Sequence, residues 1–166
     1  MKKIIYLIFI LMLSVNYLYA QGVDSKEKKP SKNSEAYLIS ETTKVIDEYL
    51  SIDNKFEPNS DCDSTRFKEC YYCSDAGGTV YYSKYVYNSK TFQEVYAEIG
   101  KIYEGENIGK LPEKTTSKNI NSMTVLYLYK DNILAISYFV DGEINTIILR
   151  KRSDGLIEAV TSEVVG

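Results

Sequence analysis

The chain has 166 residues, 44% of them hydrophobic, and 20 Lys and Arg against 23 Asp and Glu give it a net charge of −3. That length suits one domain around one core, and the acidic balance argues against a nucleic-acid partner, which needs a basic surface to meet the phosphates. There is no histidine, so Ser-His-Asp and Cys-His nucleophile pairs, His-ligated zinc and the side chain that titrates near neutrality are all excluded.

Residues 1–20 begin with Lys2 and Lys3, continue through the apolar run Ile4 to Leu13, and end in Tyr19-Ala20. This pattern predicts a cleaved export signal. The run is short for the ~30 Å of hydrocarbon a membrane helix must cross, so no stable membrane insertion is expected after cleavage. Loss of two lysines would leave 18 basic residues against 23 acidic ones, a mature charge of −5. Residues 21–33 are polar, Lys-rich and interrupted by Pro30, which predicts a flexible leader. The lysine-rich signal points to a bacterial periplasmic or secreted protein, and residues 34–166 are expected to form a single α+β domain.

From Ser34 the chain changes character. Leu38, Thr42, Val45, Ile46 and Tyr49 recur at helical spacing with Ser34 available as N-cap, the stripe of an amphipathic helix. Residues 54–78 show no period and hold all three cysteines, Cys62, Cys70 and Cys73, so a loop is expected. In an oxidising compartment one disulfide should clamp it, from Cys62 to either Cys70 or Cys73. Cys70-Tyr-Tyr-Cys73 has the spacing of a redox pair but lacks the strand-to-helix context. The Asn59, Asp61, Asp63 triplet starts like a calcium loop and then fails, with Ser64 in place of the turn glycine and Cys70 in place of the bidentate glutamate. No metal or other cofactor is expected.

Residues 79–88 predict a strand rich in tyrosine. Thr91 to Glu94 reads as a capping box, and Phe92, Val95, Tyr96, Ile99, Ile102 and Tyr103 form the stripe of a second helix that stops at Gly105. Glu94 and Glu98 fall on its solvated side. Residues 106–121 are expected to be a linking loop.

Residues 122–162 predict a four-stranded antiparallel meander, divided at Asp131-Asn132, Asp141-Gly142 and Ser153-Asp154-Gly155. Two-residue turns place Val125, Tyr127, Leu134, Ile136, Tyr138, Ile147 and Leu149 on one face, joined by Leu156, Glu158 and Val160. The other face carries Leu126, Leu128, Ile133, Ile148 and Ile157 around a row of Leu126, Ser137, Thr146 and Thr161. Both faces are apolar, so both need cover. Either a helix or a ligand would sit on the small residues of that row.

In total, two amphipathic helices are expected on a curved antiparallel sheet of about five strands. The order helix, cysteine loop, strand, helix, meander is similar in topology to cystatin-like and nuclear-transport-factor-like cone folds, a likeness that implies a curved sheet wrapped around helices with room for a cavity.

No residue is assigned a catalytic role. The 16 tyrosines offer broad amphipathic contact area, and Tyr71, Tyr72, Tyr81, Tyr85 and Tyr87, which border the cysteine loop, are the expected contact surface. Ser137, Thr146 and Thr161 are the expected floor of a site on the second sheet face. The expected function is an exported, non-enzymatic binding module for a protein or a small apolar ligand, an immunity or inhibitor protein being one form. The alternative is a small cone-fold enzyme, of isomerase or hydrolase type, using Tyr and a carboxylate in a cavity, with Glu158 as the nearest carboxylate.

Overall fold

A computed structural model describes residues 34–74, 80–89, 91–105, 109–140 and 143–164, all within one compact unit, Lys32–Gly166. The expected signal and leader lie outside the described residues. Helix α1 spans Glu35–Ile52, followed by a short 3₁₀ turn, Asp53–Lys55. Strands β1 (Glu57–Pro58), β2 (Phe67–Ser74) and β3 (Val80–Tyr87) come next, then helices α2 (Phe92–Ile99) and α3 (Lys101–Glu104). Strands β4 (Thr116–Ile120), β5 (Met123–Lys130), β6 (Ile133–Val140), β7 (Glu143–Lys151) and β8 (Ile157–Val164) follow.

Among the described residues eight strands join one open sheet in the order β1-β2-β3-β8-β7-β6-β5-β4, and every neighbouring pair is antiparallel. The fold is α+β, but the sheet has eight strands where about five were expected. The additional strands come from the segments read as loops. In β2 the alternation is broken by a register shift between Phe67 and Glu69, which hides the period of two. β4 is a polar edge strand, Thr-Ser-Lys-Asn-Ile, with too few apolar residues to announce itself.

The meander is present as β5 to β8, and its first turn is a two-residue loop, with Lys130 opposite Ile133 and Asp131 at φ 55°. The third turn is longer than expected. Lys151 faces Ile157 across residues 152–156, a turn closed by Gly155 at φ 84°, a conformation that favours glycine. An odd number of loop residues reverses the parity of β8. Ala159 therefore pairs with Leu149, Val160 with Ile148 and Glu158 with Arg150. Ile157, Glu158, Ala159, Val160 and Thr161 each sit on the face opposite to the one expected.

The two helices cover opposite faces of the sheet. α1 lays Leu38, Ile46 and Tyr49 on Leu126, Leu128, Ile133, Ala135, Ile148 and Val160; each fully buried aliphatic side chain contributes roughly 1.5–3 kcal/mol. Ser34 caps the helix, its Oγ accepting from the Tyr37 backbone N–H at 3.3 Å. α2 lays Val95 and Tyr96 on Val125, Tyr127, Leu134, Ile136 and Leu149, and Thr91 Oγ1 accepts from the Glu94 N–H at 3.3 Å. Topology explains this placement. β3 and β4 are separated by four intervening strands, a span of roughly 24 Å at about 4.8 Å per step, and the α2–α3 connection makes that crossing over one face. A cone that wraps both helices inside one curved sheet is not the arrangement found.

The second helix ends early. Gly100 is buried, where a Cβ would meet the Tyr96 ring at 2.7 Å; the chain continues past it as the separate turn α3, and Ile102 is left 79% exposed rather than on the apolar stripe.

Candidate functional site

The tyrosines near the cysteines are divided between the two faces. Cys70, Tyr72 and Ser74 pair with Tyr85, Ser83 and Tyr81 and share the α2 face; Tyr87 and Thr161 lie on it too, Thr161 opposite Ser83. Tyr87 is buried and stacks edge-on against Phe67 at 5.0 Å, and Tyr85 packs on the same ring at 4.6 Å, so both serve the core. Tyr72 and Tyr81 are 46% and 44% exposed. As diagonal cross-strand neighbours they are close enough to act as one surface, and Tyr72 donates to exposed Glu57 at 3.0 Å. Tyr71 turns to the α1 face instead.

The disulfide joins Cys62 to Cys70. Strand geometry selects this pairing over Cys62–Cys73, because residues three apart on β2 point to opposite faces and Cys62 packs with Cys70 in the α2-side core. The same geometry removes a Cys70–Cys73 redox pair. Cys73 is left as a buried free thiol.

The row of small residues lies under α1. Ser137 is fully buried, accepts from Thr42 Oγ1 at 2.8 Å and shares a 2.7 Å hydrogen bond with Thr146 Oγ1. A helix occupies the space above Ser137 and Thr146, and Thr161 belongs to the other face.

Two carboxylates that border clefts carry the densest polar contacts. Glu158, 2% exposed, accepts from Tyr49 Oη at 2.5 Å and is paired with Arg150 Nε. Arg150 Nη2 continues to Asp53 Oδ2 at 2.9 Å, and Lys84 Nζ reaches Asp53 Oδ1 at 2.9 Å. This network ties the C-terminal end of α1 to β3, β7 and β8. Burial pushes the Tyr49 phenol well above its ordinary value, reinforced by its bond to Glu158, so it stays a neutral donor. Burial also raises the Asp53 carboxyl, but hydrogen bonds from Lys84 and Arg150 outweigh that and hold it below its ordinary range. Lys84 Nζ sits 4.3 Å from the Phe56 ring centroid and 5.1 Å from that of Tyr71, where cation–π attraction offsets part of its lost hydration. The adjoining cleft, of about 370 Å³, is lined by Tyr71, Asn132, Lys151, Arg152 and Ser153 together with the network.

The second carboxylate is Glu104 on α3. Tyr127 Oη and Tyr138 Oη donate to its Oε1 at 3.3 and 3.1 Å, Tyr96 Oη donates to the same oxygen, and Tyr96 and Tyr127 are hydrogen-bonded to each other at 2.9 Å. Burial, ahead of the nearby Glu104 charge, pushes the Tyr127 phenol up to about 12. Beside it opens a cleft of about 410 Å³ with Lys110, Lys118, Ile120 and Asn121 on its walls. Glu104 was not singled out from the sequence. Nothing in its local pattern marks it, since its partners come from α2, β5 and β6.

Among the described residues no three Cys, Asp or Glu side chains are grouped to hold a metal ion, and no helix is long and apolar enough to cross a membrane. No family model, curated protein or solved structure matches the chain.

Proposed function

We propose that the chain is an exported, non-enzymatic binding module that recognises a protein partner through the outer end of β2 and β3. The carrying observation is the pair Tyr72 and Tyr81, side by side on one face and nearly half exposed. Tyr supplies large contact area at little rotamer cost and is enriched where binding energy concentrates. The Cys62–Cys70 disulfide stiffens this end of the sheet, which lowers the ordering cost of association, and it fits an oxidising compartment. A partner with a basic surface suits an acidic chain whose patch includes Glu57, and an immunity or inhibitor role is one form of this reading. A small apolar ligand on the opposite face is disfavoured because α1 occupies that space.

The test is affinity capture from the native envelope with residues 21–166, in parallel with Tyr72→Ala/Tyr81→Ala. A stoichiometric partner that is retained by the native chain, lost by the variant and weakened by salt is the expected outcome. Equal capture by both chains overturns the proposed surface. One observation favours the enzymatic alternative: Glu104, with three tyrosine hydroxyls at the edge of a cleft, is a carboxylate and phenol set of the kind used in acid–base chemistry. That reading requires turnover of a carbonyl substrate that is lost in Glu104→Gln and intact in the Tyr72/Tyr81 variant.

A further inference from the structure

The cleft beside Glu104 lies on the α2 face at the β4 edge of the sheet, the far edge from Tyr72 and Tyr81, and it holds opposite charges that do not pair with each other. Tyr96, Tyr127 and Tyr138 all donate to Oε1 of Glu104, which fixes the carboxylate in place. Burial raises all three phenols, so they stay neutral donors and the negative charge of the set is the carboxylate's. Oε2 accepts no hydrogen bond among the described residues, where no buried side-chain oxygen lacks a partner. This second oxygen is therefore accessible, on a side chain that lines the cleft.

The opposite charge comes from β4. Lys118 stands directly opposite Val125, and Ile120 opposite Met123, so both side chains fall on the face of Val125 and Tyr127. Lys118 Nζ sits 5.5 Å from the Tyr127 ring centroid, over the same phenol whose hydroxyl reaches Glu104 at 3.3 Å. Among the described residues Lys118 forms no ion pair, with Glu104 or with any other carboxylate. The two charges are thus tied to the ring and the hydroxyl of one tyrosine without neutralising each other. Ile120 supplies an apolar wall to the cleft, and Lys110 lines it as a second cation. A bare cation entering here would meet the lysines, and a bare anion would meet Glu104. A molecule with an ammonium at one end, a carboxylate at the other and a short carbon chain between them would meet the acceptor, the cation and the apolar wall together, through charge-assisted bonds at both ends. The space, about 410 Å³, admits a small molecule.

We propose that this cleft binds a small zwitterion, an aliphatic amino acid whose ammonium meets Glu104 Oε2 and whose carboxylate meets Lys118. Such binding needs neither turnover nor the Tyr72/Tyr81 surface, so it stands or falls separately from both functional readings. The test is calorimetric titration with γ-aminobutyrate and with ε-aminohexanoate, with butylamine and butyrate as single-charge controls, all at matched ionic strength. Saturable binding of at least one amino acid with a Kd on the order of 1 mM or tighter is the expected result. Each control should bind at least about tenfold more weakly, equivalent to 1.4 kcal/mol. Lys118→Ala truncates an exposed side chain on the edge strand; it should leave the ligand-free Tm unchanged and reduce the amino acid to the affinity of butylamine. Glu104→Gln keeps a carbonyl oxygen for the three tyrosines and removes the charge, and should reduce the amino acid to the affinity of butyrate. The Tyr72→Ala/Tyr81→Ala chain should bind as the native one does. No saturable binding of either amino acid, a single-charge control that binds as tightly, or undiminished affinity in Lys118→Ala overturns the site.

Discussion

Cys70 shows how much one side chain's direction decides. Its neighbour Cys73 is equally available in sequence, yet the pleat of β2 turns it to the other face, so the bond closes on Cys62 and Cys73 stays buried as a thiol. Alkylation without reductant should therefore modify no cysteine quickly in the native chain and one per molecule after denaturation; three modified thiols would show that the bridge does not form. The cross-link joins residues eight apart, and Cys62→Ser should destabilise by about 2–3 kcal/mol in the chain-entropy view, read from urea unfolding.

At the scale of elements, α1 and the sheet meet through a seam whose shape is set by small side chains. Thr42 enters the helix stripe where an aliphatic residue would otherwise stand, and it donates to Ser137 directly beneath it. The contact satisfies both hydroxyls inside an otherwise apolar layer, the condition for burying them without penalty. Ser137→Leu adds three heavy-atom carbons to this layer and removes the acceptor. It should cost on the order of 1–3 kcal/mol from overpacking, with unfolding still cooperative, measured as a drop in Tm. An unchanged Tm would mean that α1 does not rest on this row. The second helix differs from its sequence pattern: the stripe continues in sequence through Ile102, but α2 ends at Ile99, a separate turn follows Gly100, and Ile102 is exposed. Periodicity alone does not reveal such a break.

Over the whole molecule, the charged cluster at Asp53 and Glu158 links the end of α1 to β3, β7 and β8, strands that carry both cores. Its pH dependence follows from Asp53. Because the folded carboxyl titrates below its ordinary value of 3.8, the stability it adds is present above that value and is lost as pH falls through the lower folded one. Asp53→Asn should then cost about 1–3 kcal/mol at neutral pH, reduced from the value for a fully buried pair because Asp53 is partly solvated. The gap between variant and native chain should close as the pH falls below 3.8. A gap that stays constant down to pH 2 in urea unfolding would remove Asp53 from the acid response.

The sequence by itself determined the local elements: α1 with its Ser34 cap, the Thr91 start of α2, the β3 strand, and the meander with its first tight turn. Each is written in neighbouring residues, as a period of 3.6 or 2 or as a turn pair. It also restricted the cysteines to a bridge from Cys62. Tertiary structure decided what depends on distant partners. β2 and β4 are strands because β3 and β5 pair with them, and a bulge in one and polarity in the other erase the local signal. The parity of β8 depended on a single residue in the turn at Gly155, and with it the faces of Thr161 and Glu158. The helices took opposite sides because the chain must cross the sheet to reach its far edge. The sets that can carry chemistry, Glu104 with its three tyrosines and the Asp53–Glu158 network, were assembled from residues far apart along the chain, and only the folded sheet brings their charges and hydroxyls within hydrogen-bond reach.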